Sequence, residues 1–121
     1  MITTAELWDD AKRLADEAVN SELRRRLAID ALYYAVYLSV RSRVGTQRAR
    51  DPFGEHVSVI EQLQKLGPIE RRAGLRLDSL RHLRNKARYS IGLSLTREEL
   101  SSARRHAENI ITLLPALIGP G

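Results

Sequence analysis

The chain contains no cysteine. That excludes a disulfide framework and any cysteine-ligated metal, and it suits a reducing cytoplasm, where the protein is expected to work. No uninterrupted run of roughly 18 apolar residues occurs, so no membrane span is expected. Residues 1–16 carry Glu6, Asp9 and Asp10, where an export signal needs a basic start and an apolar stretch. The glycines stand singly, at Gly45, Gly54, Gly67, Gly74, Gly92, Gly119 and Gly121, so there is no glycine-rich phosphate loop. His56, His82 and His106 show no metal-ligand spacing, and neither a metal nor a cofactor is implied. No strand-length alternation, internal repeat or low-complexity tract appears.

What is present is one domain's worth of chain with an uneven excess of positive charge. At 121 residues it matches the usual domain size and should bury roughly 60–70% of its unfolded surface, enough for a core without staples. The net charge is +5 and the pI about 10.1, which favours an anionic partner. Residues 41–50 contribute Arg41, Arg43, Arg48 and Arg50 with no acid. Residues 69–88 contribute seven bases against Glu70 and Asp78. These two segments supply the whole excess. The plainer reading of them is arginines draped around a helical core.

Helical patterning runs throughout. Thr3 with Glu6 forms a capping box, and Leu7, Ala11, Leu14, Ala15 and Ala18 follow at helical spacing, which predicts a first helix to about Val19. Asp9 and Asp10 are first-turn acids suited to the helix dipole. Asn20 or Ser21 can cap a second helix, about Glu22 to Val44, that opens on Arg24, Arg25 and Arg26. It then turns apolar almost all round, from Ala31 through Tyr33, Tyr34, Val36 and Tyr37 to Val40, the pattern of a buried central helix. Asp30 is expected to pair with Arg26, one turn away. Gly45 to Gly54 reads as an exposed basic loop. A third helix is predicted from about Glu55 to Leu66, ending at Gly67-Pro68 with the glycine left-handed. A fourth runs from about Ile69 or Arg72 to Ile91, with a loose start near Gly74. Thr96 and Glu99 open a fifth, about Arg97 to Ile118, kinked or frayed at Pro115.

The fourth helix carries the chemistry. Leu80, Leu83 and Ala87 share its core stripe. Arg81, Arg84 and Arg88 form a basic row on the opposing surface, with His82, Asn85 and Tyr89 beside it. Such a set can hold a phosphodiester, since Arg84 offers two parallel donors and Asn85 or Tyr89 can fix a sugar or base edge. The competing reading is a merely solvated face. A helix-turn-helix is not supported, because no tight helix precedes the basic one.

Leu80 to Tyr89 resembles the signature helix of HEPN domains, in which an arginine, often followed by Asn, Asp or His, is separated by four to six residues from a histidine. The aromatic second helix, with Arg26, Ala31, Tyr33, Tyr34, Ala35 and Tyr37, is similar to the central helix of small HEPN families. His56 with Val59 and Ile60 matches a further pattern among those relatives. The resemblance implies an all-α, up-and-down bundle of about five helices over residues 1–121. It also implies a homodimer whose signature helices face each other across a shared cleft. Many HEPN domains are metal-independent endoribonucleases, often toxins paired with a nucleotidyltransferase antitoxin.

Carried over by position, Arg84 matches the family arginine and Asn85 the polar residue after it. Five residues after Arg84, where histidine often stands, this chain has Tyr89. The resemblance thus implies a site of Arg84, Asn85 and Tyr89, with Arg81 and Arg88 attracting the RNA backbone. A phenol with a pKa near 10 is a poor base at pH 7, and arginine cannot shuttle a proton. The acid–base role has lost its usual holder. His82 lies about 200° around the helix from Arg84 and reads as a surface residue. His56 could approach only through tertiary packing and reads as a helix cap or the partner of a core polar group. His106 reads as solvent-facing. Tyr89 either buries its ring with a wet hydroxyl or is a target for modification by an antitoxin. Two functions stay open: an RNA-cleaving toxin with a degenerate motif, or a non-catalytic module that docks a nucleotidyltransferase or binds nucleotide.

Overall fold

The computed structural model describes residues 1–44 and 52–118. Within them the chain forms five α-helices and a closing 3-10 turn: α1 (Thr4–Glu17), α2 (Glu22–Val44), α3 (Pro52–Gln64), α4 (Pro68–Tyr89), α5 (Arg97–Leu113) and the turn Pro115–Ile118. No strand occurs among the described residues. The expected all-α bundle is what forms. The segment read as a basic loop lies partly outside the described residues, including Arg48 and Arg50. Its last part, from Pro52, already belongs to α3, since proline is at home in a first helical turn.

Both capping boxes are closed. Glu6 N donates to Thr3 Oγ1 at 3.1 Å and Thr3 N to Glu6 Oε2 at 3.0 Å. Thr96 and Glu99 repeat the exchange at 3.0 and 3.1 Å. Ser21, rather than Asn20, caps α2, its hydroxyl accepting from Arg24 N at 3.3 Å. Gly67 has φ 166°, an extended and not a left-handed conformation. It serves as the residue before α4, with Pro68 in the first turn, while α3 ends by tightening to Lys65–Gln62 and Leu66–Leu63 backbone bonds.

The central position of α2 follows from its apolar girth. It packs against α1, α3, α4 and α5, burying Ile29, Leu32, Tyr33, Val36 and Val40. Leu77 and Leu80 of α4, Leu63 of α3 and Ile110 of α5 close the same core. Each such side chain stabilises the fold by about 1.5–3 kcal/mol. Helix α4 is continuous through Gly74, where a loose start was expected. The glycine is buried, and a Cβ there would lie 2.5 Å from Gln64 Cγ. It is a contact point between α3 and α4, and its small size lets the two helices close.

The arginines that open α2 are fasteners. Arg26 donates to the carbonyls of Lys86, Ala87, Ser90 and Leu93 and to the Glu22 carboxylate. It thereby ties the start of α2 to the end of α4 and its connection, adding a second donor to the Lys86 and Ser90 carbonyls, which already accept from Ser90 N and Leu93 N. Arg25 reaches the carbonyls of Leu95 at 3.1 Å and Val19 at 2.7 Å. The expected Arg26–Asp30 pair does not form, because Arg26 is drawn to this carbonyl cluster and Asp30 turns to α4.

Candidate functional site

Arg84 projects from α4 toward α2 and is buried, 7% exposed. Its guanidinium carbon sits 4.7 Å from the centre of the Tyr33 ring, a cation–π contact in a desolvated setting. Nη1 donates to Asn85 Oδ1 at 3.0 Å. Nε is 3.7 Å from Asp30 Oδ1, beyond hydrogen-bonding range, and has no hydrogen-bond partner among the described residues. Buried guanidinium groups are stable when fully paired. This one is under-compensated and retains an appetite for an anion.

Tyr33 bridges this arginine to α3. Its hydroxyl lies 2.6 Å from Nδ1 of His56. The His56 ring also stacks on Tyr37, with centroids 4.0 Å apart and planes 18° apart, and Tyr33 and Tyr37 stack at 5.6 Å. The i, i+4 spacing of the two tyrosines places them on one face of α2, and the head of α3 lays the imidazole against that face. Burial, with help from the Arg84 charge, holds the His56 pKa below its ordinary value, so the ring is neutral at pH 7. Burial pushes the Tyr33 phenol upward, keeping its proton in place. Burial and the neighbouring Glu55 carboxylate push Tyr37 upward as well. Glu55 itself is held by Arg41, Nε to Oε1 2.9 Å.

The other expected site residues surround this centre. Asn85 is attached to Arg84. Arg81 pairs with Asp78, Nη2 to Oδ1 3.0 Å, and His82 stands 3.7 Å from the same carboxylate with its side chain mostly exposed. Arg88 is more open, 3.9 Å from Asp30. Its guanidinium carbon lies 5.8 Å from the Tyr89 ring centre, and Tyr89 is 55% exposed. The basic row is therefore graded: Arg84 underneath, Arg81 neutralised, Arg88 and Tyr89 at the surface. His106 is half-buried, with Nδ1 3.3 Å from Arg76 Nη1 of α4 in an exposed contact.

Sequence reasoning did not assign Tyr33 and Tyr37 to the site, nor Asp30 as the carboxylate facing Arg84. The tyrosine spacing was the available signal, but it reads equally as core. Among the described residues no group of three or more His, Cys, Asp or Glu could hold a metal ion, and no helix is long and apolar enough to cross a membrane.

An all-helical bundle that buries an incompletely paired arginine of its penultimate helix against a tyrosine–histidine pair defines a class with one prepared polar centre. The family model for the HEPN domain matches residues 5–117, nearly the whole chain, and the chain belongs to that family. Comparisons with curated proteins and with solved structures found no match.

Proposed function

We propose that this protein is a HEPN-type, RNA-associated homodimer that cleaves RNA without a metal ion, with His56 in the acid–base role left open by Tyr89. Family membership supports the association with RNA in general. The observation that carries the rest is the Tyr33–His56 bond at 2.6 Å beside Arg84. A neutral imidazole fixed at one nitrogen by a hydroxyl presents the other for proton transfer. In the tautomer that carries its proton on Nδ1 and shares it with Tyr33 Oη, Nε2 is bare and takes the proton from a ribose 2′-hydroxyl. The 2′-oxygen then bonds to the adjacent phosphorus, the bond to the 5′-oxygen breaks, and that oxygen takes a proton from water. The products are a 2′,3′-cyclic phosphate and a free 5′-hydroxyl. Arg84, kept in place by Asn85, stabilises charge on the phosphoryl oxygens. Arg88 and Tyr89 meet the RNA at the rim, where Tyr89 stacks a base, while Arg81, expected to attract the backbone, is already paired with Asp78.

The dimer rests on exposed apolar groups. Leu23, Leu27 and Tyr34 lie along one side of α2, 67%, 57% and 53% exposed. Ile91 and Leu93, also exposed, sit on the connection that Arg26 ties to the start of the same helix. A patch of this kind marks an interaction surface, and a twofold axis through it would bring two Asp30–Arg84–Arg88 groups together. The exposed phenol of Tyr89 favours a second role: the toxin-like half of a pair, with Tyr89 as the group modified by a nucleotidyltransferase antitoxin. The direct test is incubation of purified protein with single-stranded RNA in EDTA. Cyclic-phosphate ends that disappear with Arg84→Ala are expected. Retention of RNA with steep salt dependence but no cleavage would make it a binding module instead.

A further inference from the structure

A second polar centre lies away from Arg84, in a groove between the first half of α4 and the second half of α5. Each helix contributes one face at i, i+3, i+4 spacing: Arg72, Leu75 and Arg76 from α4, Asn109, Thr112 and Leu113 from α5. The groove encloses about 360 Å³, within the size range of small-molecule sites of roughly 300–1,000 Å³.

Its charge is unusual. Arg104, on the neighbouring turn, is held by Asp16 and Glu108. Arg72, Arg76 and Arg105 have no carboxylate partner among the described residues. Arg76 Nη1 lies 3.3 Å from His106 Nδ1, so an imidazole, not an acid, orients it. Burial, then the Arg76 and Arg105 charges, hold the His106 pKa below its ordinary value, so that ring brings no charge of either sign at pH 7. The Thr112 hydroxyl donates its one proton to Glu108 O at 3.0 Å, so the donors left to the groove are the arginines and Asn109. The Asn109 amide has no hydrogen-bond partner among the described residues. A guanidinium positioned by a neutral donor–acceptor keeps its whole charge for a ligand.

We infer that the α4–α5 groove binds a small organic phosphate, with the phosphate between Arg72 and Arg76 and an apolar or aromatic body against Leu75 and Leu113. Two guanidinium groups one turn apart match a dianion with several acceptor oxygens. Asn109 can donate to a further oxygen. Two leucines at the groove give the organic part a surface that inorganic phosphate would not use. This site is independent of the RNA-cleaving centre.

The test uses the full chain and phenyl phosphate as probe, with phenol and inorganic phosphate as its separated halves. Binding is read from backbone amide shifts in titration. Saturable shifts centred on residues 72–76 and 109–113 are expected, with affinity about tenfold weaker in Arg76→Ala, the loss expected for one charge-assisted pair. Phenol should leave those signals unmoved, and inorganic phosphate should bind more weakly than phenyl phosphate. Equal binding of inorganic phosphate would reduce the groove to an ion site and overturn the inference. So would shifts centred on Arg84, or unchanged affinity in Arg76→Ala and Arg72→Ala. Both arginines are exposed, so the variants fold, and circular dichroism checks it.

Discussion

The Tyr33 hydroxyl and Nδ1 of His56 stand 2.6 Å apart, joining the middle of α2 to the head of α3 directly beside the buried Arg84. Tyr33→Phe removes the oxygen and keeps the ring under the guanidinium. It should cost about 1 kcal/mol of stability, the usual net worth of such a bond. Because the imidazole then loses its fixed tautomer, kcat for RNA cleavage should fall while KM changes little. A change in KM alone would place Tyr33 in RNA binding and not in orienting His56.

The same neutral histidine shapes stability against pH. The folded-state pKa of His56 lies below 6.5, so between that lowered value and 6.5 the unfolded chain binds more protons. Stability must then fall as pH drops from about 6.5 through the folded pKa. His106 acts in the same direction. The carboxyls of Glu22, through its bond from Leu95 N, and of Glu99, where Lys86 and Thr96 outweigh burial, are held below 4.5. Their stabilisation, complete above about 4.5, is lost on further acidification. Urea midpoints measured from about pH 7.5 to about pH 2.5 should decline in two stages, and the upper stage should shrink in a His56→Gln, His106→Gln double variant.

Arg26 tests a structural claim free of any function. Its side chain is only 10% exposed and binds four carbonyls of the α4 terminus and its connection. Arg26→Ala should lower unfolding free energy by about 2 kcal/mol, since it removes several charge-assisted hydrogen bonds and the packing of a largely buried side chain at once. Arg26→Lys should recover only part of this, because an ammonium cannot fork between them. Equilibrium urea denaturation decides it. A loss under about 0.5 kcal/mol, typical of a surface change, would contradict the fastening role.

Much of this bundle was legible in the chain. Two capping boxes, the Gly67-Pro68 break and the apolar girth of α2 announce the helices and their order, because each depends on neighbours within a turn. The site was legible only in part. Arg84 with Asn85 stands out on α4 as a local motif, whereas its aromatic floor comes from α2 and its histidine from α3. Those contacts depend on how three helices cross. Asp30 misled for the same reason: Arg26 lies one turn away, yet four long-range carbonyls hold it more strongly than one local carboxylate would.

Association should follow the apolar side of α2. Leu27 is 57% exposed and lies between Leu23 and Asp30 on that side. Leu27→Asp should leave the monomer fold intact and weaken dimerisation at least about tenfold, since it would bury a charge in an apolar seam. Sedimentation equilibrium over a concentration series reads this. A wild-type protein that stays monomeric at high concentration would remove the shared cleft.

The most direct test of His56 as the proton-transfer group compares initial rates of RNA cleavage in EDTA for His56→Gln and Tyr89→Phe. His56→Gln should lose about 100-fold or more, as removal of a general acid–base does, while Tyr89→Phe should keep its rate within about threefold, because its stacking ring survives. The reverse ranking, with the phenol hydroxyl essential and the imidazole dispensable, would contradict the assignment.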